Sequence, residues 1–282
     1  MAKNDYHYLK DKWTKKHSNL QTTLWDKHKD SLSWISKNLS PKQLAVSSLG
    51  LLLLAAPSAP LLPSPHLLTT NQNAVQNLDK SVFVVSDLSK VLPLEMRPLT
   101  EEEEQKVGEI LSRDFNMKVS AQLLGKRLNR SYGFIGQEQH LARFPGDTLS
   151  SHFDNAEEAE KYGSHGMAPG LGAWGYIGDN MREKYYIAVQ TFLTPGYMEN
   201  VREYNQFFKY RKMLVVNPDN GHAVVAVIGD AGPAGWTGKH LGGSPEVMRH
   251  LERVDGKMRG EVLYFFIDDT DDKIQLGPVD TQ

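Results

Sequence analysis

The most constraining stretch of the chain is residues 215–233, Val-Val-Asn-Pro-Asp-Asn-Gly-His-Ala-Val-Val-Ala-Val-Ile-Gly-Asp-Ala-Gly-Pro. Two apolar runs flank an Asn-Pro-Asp-Asn-Gly turn. Asn220-Gly221 is a hairpin signal, because both residue types tolerate positive φ. The second run, 223–228, is apolar at every position instead of alternating. A strand of that kind is buried on both faces, so the fold must supply an apolar layer on each side of it. Asp230 stands where this strand runs into Gly-rich backbone, which places a carboxyl group on rigid scaffold close to the surface.

The rest of the second half reads as β-rich, with strands expected at 185–192, 212–216, 222–228 and 261–267. One helix interrupts them. Ser244 is its N-cap, Pro245 its first residue and Glu246 lies in its first turn. Upstream, residues 82–85 form a short strand candidate and 117–124 another. Thr100 and Glu103 make a capping box that opens a helix running to about residue 113. Residues 125–180 hold many glycines and turn signals, so only short elements are expected there.

The order of elements resembles the double-psi β-barrel of the rare-lipoprotein-A-like family. The resemblance rests on Asn217 to Gly221 as Asn-x-x-Asn-Gly, the Val-rich strand, Asp230 to Pro233 as Asp-x-Gly-Pro, the Ser244 helix and the last strand. It covers about residues 165–269. Three positions differ from the family pattern. Ala231 follows the Asp where a basic residue is common, and Gly243 precedes Ser244 where Leu is usual. Ala188-Val189-Gln190 occupies the strand where catalytic members carry a His. The resemblance implies a six-stranded double-psi barrel; with what the residues before it show, the expected fold is mainly β, that barrel preceded by a small α+β region and an N-terminal helix plus single transmembrane segment.

Charge is unevenly distributed. Residues 1–42 hold nine Lys and four Asp, a balance of +5; the whole chain is −2, so residues 43–282 carry −7. That balance, with no basic run, argues against nucleic acid as a partner. The chain has no Cys, which excludes disulfides, a Cys-ligated metal and a Cys nucleophile. Residues 43–78 carry no formal charge, and 44–62 is long and apolar enough to span a bilayer. Lys on its N-terminal flank predicts a cytoplasmic N-terminus and an extracytoplasmic main domain. The expected organisation is a basic helical arm (1–42), a membrane anchor or signal-like segment (43–62) and a linker (63–80). An α+β region (81–164), the barrel (165–269) and a polar tail (270–282) follow.

In catalytic members of the resembled family, the Asp at the position of Asp230 is assigned acid/base chemistry on peptidoglycan. Cleaving a glycosidic bond requires a proton on the leaving oxygen, which a carboxyl group of raised pKa supplies. Most glycosidases use two carboxylates. In lytic transglycosylases the sugar's own 6-hydroxyl attacks, so one carboxylate serves as base and as acid. Glu138 is a candidate second carboxylate. Trp236, Lys239 and His240 follow the Gly232-Pro233 turn, and Trp174 and Tyr176 lie on another loop; these five are the candidate glycan-binding residues. Peptidoglycan or another cell-wall glycan is the expected partner, with the membrane reached through the N-terminal segment, and no cofactor or metal is expected. Two other readings stand beside this one. The barrel binds glycan or a wall partner without turnover, with Asp230 capping backbone amides. More distantly, His140, Asp147, His152, Asp154 and His165 serve a zinc-dependent hydrolase, His140 and Asp147 having the spacing of some zinc D,D-peptidases.

Overall fold

The computed structural model describes residues 81–253 and 260–282, all within one compact unit, Val75–Gln282. The basic arm, the apolar segment and the linker read from the sequence lie outside the described residues. Among the described residues no helix is long and apolar enough to cross a membrane.

The described residues open with two helices, α1 (Ser81–Val91) and α2 (Glu101–Phe115), followed by short strands β1 (Val119–Ser120), β2 (Gln122–Leu123) and β3 (Lys126–Arg127). Then come β4 (Tyr132–Gln137), α3 (Ala156–Tyr162), α4 (Asn180–Lys184), β5 (Tyr186–Val189), α5 (Val201–Phe208), β6 (Lys212–Val216) and β7 (Ala223–Ala231). The sequence of elements ends with β8 (Leu241–Gly243), α6 (Pro245–His250), β9 (Gly260–Ile267) and β10 (Gly277–Val279). Six strands close into a ring in the order β4, β8, β5, β7, β6, β9 and back to β4. The β4–β8 and β5–β7 pairs are parallel and the other four antiparallel. The molecule is therefore a mainly-β closed barrel of six strands, with helices around it. The barrel takes β4 from the region before residue 165, so residues 132–137 are part of it.

The uniformly apolar strand is explained by the layers on its two sides. Val224, Ala226 and Ile228 of β7 pack with Ile135, Ile187, Val215, Tyr264 and Phe266 in one core. Ala223 and Val225 face the other way, into a second core with Leu214, Phe265 and the helical residues Val84, Leu88, Val107 and Leu111. Alternate residues of β6 and β9 divide between the same two cores, as a period of two demands. Helices α1 and α2 are thus the outer apolar layer.

Local chemistry sets the helix ends. Thr100 Oγ1 accepts the Glu103 N–H at 3.2 Å, while the Glu103 carboxylate accepts the Thr100 N–H at 2.8 Å. Ser244 caps α6, accepting from Val247 N–H, with Pro245 in the first turn. Residues 82–85 are helical, not a strand. Their β-branched composition favours a strand, but Val84 and Leu88, four apart, form the stripe that α1 needs to pack on α2. The apolar run at 185–192 forms a shorter strand than expected, β5, because a 3-10 turn begins at Thr191.

Candidate functional site

Strand β7 extends three residues further than its apolar run, and Asp230 lies inside it, not beyond it. The pairing with β5 shifts there: Ile187 faces Ile228, yet Ala188 faces Asp230, so Gly229 is the extra residue of a bulge. Bulges redirect the side chain that follows them. A Cβ on Gly229 would lie 2.7 Å from Tyr186 Cβ, so only glycine lets the two strands approach.

Asp230 is half-buried. Its Oδ1 accepts the N–H groups of Ala173 (2.7 Å) and Ala231 (2.8 Å). Burial raises its pKa above the ordinary value, and the two backbone donors oppose that rise without cancelling it. Glu138 follows β4 directly, with its N–H on the Gly243 carbonyl at 2.8 Å. Its carboxyl is also raised, chiefly by burial, with a further contribution from the charge of Asp230. Lys239 bridges towards it, with Nζ 2.9 Å from the Gln137 carbonyl and 3.3 Å from Glu138 Oε1. Gly242 passes directly beneath this carboxyl group; a Cβ there would fall 2.5 Å from Glu138 Cδ and closer still to Cγ and Oε1. Two carboxyl groups of raised pKa and one ammonium group therefore share one region of the barrel. Carboxyl groups shifted by burial and by a neighbouring charge mark a candidate functional site.

The aromatic residues divide. Trp236 is 89% exposed, on the loop after Pro233. Tyr176 is also exposed, and its carbonyl accepts from the Tyr210 hydroxyl. Trp174 instead packs against the barrel core. His240 is committed to the β4–β8 seam: Nδ1 accepts the Phe134 N–H at 2.9 Å, and the ring stacks on Phe134. Gln190 is buried, and its amide donates to the carbonyls of Pro233 and Lys239. It braces the loop that carries Trp236 but cannot exchange a proton.

A second group of polar residues lies apart from this one. His140, Asp147 and His152 come together, joined by Glu183 of α4, which sequence reasoning missed. Glu183 Oε1 is 2.9 Å from His140 Nδ1, and Oε2 is 2.9 Å from His152 Nδ1. All three side chains are buried. Arg143 clamps Asp147 through Nε (2.9 Å) and Nη2 (2.8 Å) and holds its carboxyl far below the usual range. Asp154 and His165 do not join: the former is exposed, and His165 Nδ1 is within 2.9 Å of Ser164 Oγ. Tyr186 stands within electrostatic reach of Glu138, Asp230, Glu183 and Glu246, and its hydroxyl donates to the Gln139 carbonyl.

The described residues thus define a closed six-stranded barrel that carries two electrostatically coupled carboxyl groups, Asp230 and Glu138. No protein-family model matches the chain, and no curated protein is similar to it.

Proposed function

We propose that the barrel is of the double-psi type and acts on cell-wall glycan, with Asp230 as its acid/base. The observation that carries this is the position of Asp230 after the β7 bulge, its Oδ1 held by the Ala173 and Ala231 N–H groups, with Glu138 and its Lys239 partner within electrostatic reach. The two parallel strand pairs in an otherwise antiparallel ring support the double-psi reading. Burial raises the pKa of Asp230 and so favours its protonated form, and its Oδ1 is held in place by two N–H groups. The protonated carboxyl gives its proton to the glycosidic oxygen as the C–O bond breaks. The carboxylate then takes the proton of the sugar's 6-hydroxyl as that oxygen bonds to the anomeric carbon. The acid is thereby restored and no water is consumed. Glu138, paired with Lys239, would help to set the field around this exchange, and Trp236 offers an aromatic face to a sugar ring.

A non-catalytic glycan binder is the second reading. It is favoured by the strand residues Ala188-Val189-Gln190, none of which is an acid or base, where catalytic members of the resembled family carry a His. Membrane attachment through residues 43–62, with the barrel outside, completes the proposal. Incubating the full-length protein with purified murein sacculi, followed by mass spectrometry, tests it. New anhydro-muramyl ends support the enzyme, and co-sedimentation without new ends supports the binder. Absence of both results refutes the glycan reading as a whole. Protease added to intact cells should spare the Lys-rich arm before residue 43, and its digestion from outside would refute the topology.

A further inference from the structure

We infer that His140, His152 and Glu183 bind one divalent metal ion of the zinc class, which staples the loop after β4 to α4. The argument starts from the far nitrogen of each ring. His140 Nε2 is 3.0 Å from the Tyr162 carbonyl, and His152 Nε2 is 3.0 Å from Asp147 Oδ2. A carbonyl group can only accept, and Asp147 is already clamped as a carboxylate by two Arg143 N–H groups. Each Nε2 must therefore carry the hydrogen. Metal-binding histidines are held in this way, with the distal N–H on a carbonyl or carboxylate.

The near nitrogens then both point at one carboxylate. Each Nδ1 lies 2.9 Å from a different oxygen of Glu183, and a bare imidazole lone pair repels an anionic oxygen. Positive charge must lie between them, as two protons or as one divalent ion. Two protons would make two imidazolium rings whose centroids are 5.1 Å apart, in a site closed to solvent and beside the Arg143 cation. One ion supplies the same charge at a single point, bonded to all the donors.

The donor set suits zinc, which takes imidazole nitrogen and carboxylate oxygen. The donor atoms lie within 4.8 Å of one another. Two nitrogens on one tetrahedral zinc lie about 3.4 Å apart, so closure needs only small side-chain movements. Glu246 is a further carboxyl group within electrostatic reach of this site. It is 7% exposed, and its Oε2 has no hydrogen-bond partner among the described residues. The charges of His140 and Glu183 both act on it. The three protein donors leave one position of a tetrahedral ion to a further ligand, and their burial keeps the ion away from bulk solvent. It joins segments 43 residues apart in a chain without cysteine.

This inference does not depend on the glycan reading. The test uses the full-length protein, stripped with a chelator and titrated with Zn²⁺ and with Co²⁺ at neutral pH. The expected result is uptake of one equivalent, visible d–d bands of tetrahedral Co²⁺, and a melting temperature several degrees higher loaded than stripped. Glu183→Gln should abolish uptake. His222→Ala should leave it intact, since His222 and His250 form a separate ring pair that could take up metal adventitiously. The wild-type comparison needs no variant to fold. A stripped wild type that takes up neither ion, and melts the same with and without chelator, overturns the inference. Uptake lost in His222→Ala and retained in Glu183→Gln overturns it equally.

Discussion

Replacing Gly242 by Ala should displace Glu138 without removing any ionisable group. The backbone at Gly242 is not left-handed, so alanine is allowed there and gains about 0.5–1 kcal/mol over glycine in a strand. The new methyl group, however, would fall 2.5 Å from Glu138 Cδ, against a carbon–carbon optimum of about 3.5–4.0 Å. Overlap with Cγ as well means that movement of the carboxyl tip alone is insufficient; the whole side chain must swing away. Such overpacking costs about 1–3 kcal/mol, and loss of the part-exposed Lys239 pair adds up to about 1 kcal/mol. The net destabilisation is up to about 3.5 kcal/mol and centred near about 2 kcal/mol, or about 4–8 °C at that centre for a unit of this size. NMR-detected titration supplies the decisive readout. Burial is the main cause of the raised Glu138 pKa, so ejection to solvent should return its midpoint towards the ordinary value. Cleavage or binding of sacculi should fall to the level of Glu138→Gln. An unchanged Glu138 midpoint in folded Gly242→Ala would refute the account of how this carboxyl group is held.

Asp230→Asn keeps an oxygen for the Ala173 and Ala231 N–H groups. Thermal melting should therefore change little, while turnover falls on the order of 10²–10⁴-fold; equal cleavage by the variant would end the catalytic claim. Trp236→Ala should weaken sedimentation with sacculi and leave melting unaltered, because the ring packs on nothing. Glu104 is 6% exposed and accepts from Arg127 Nη2 (3.0 and 2.9 Å) and Ser131 Oγ (2.7 Å). Glu104→Ala should cost about 2–3 kcal/mol by urea denaturation, below the range for fully buried pairs because Arg127 is partly exposed; a loss under about 0.5 kcal/mol would show that this network does not hold α2 to the barrel. Glu103 has a folded pKa of about 2 against an ordinary 4.5, mainly through Arg97 and then the Thr100 N–H. Folding thus favours its charged form: the stabilisation is full above pH 4.5 and disappears as pH falls towards 2. Glu103→Gln should cost about 1 kcal/mol at pH 7, with the two melting curves converging in acid.

What the sequence made legible was chemistry acting over a few residues. The capping box at Thr100, the Ser244 cap and the two-sided burial of β7 each follow from contacts within one element or from one unbroken apolar pattern. Residues 82–85 misled because side-chain branching favours a strand, while the partner that makes them helical, α2, is a separate element. Asp230 was located correctly at the end of the apolar run, but its direction depends on a shift against β5. The glycine before it was the available sign of that bulge. Glu138 was visible as a candidate only; its placement beside Asp230 requires β4 and β8 to pair across about a hundred residues of chain. Glu183 gave no local signal. It is an ordinary-looking residue of a five-residue helix, and only the ring closure brings it to His140 and His152.

The ring has a consequence for the order in which the protein forms. Strand β4 is flanked by β8 and β9, and β9 also completes the pairing of β6. Until residue 267 is available, the sheet has open edges at β4 and β6, and the apolar face of β7 has no complete enclosure. Growth at the ribosome therefore cannot complete this fold progressively from its first strand. Contacts between residues far apart in the chain must form together, which slows folding and leaves strand edges open to other chains meanwhile. A nascent chain that stays open until its last strand emerges remains threadable.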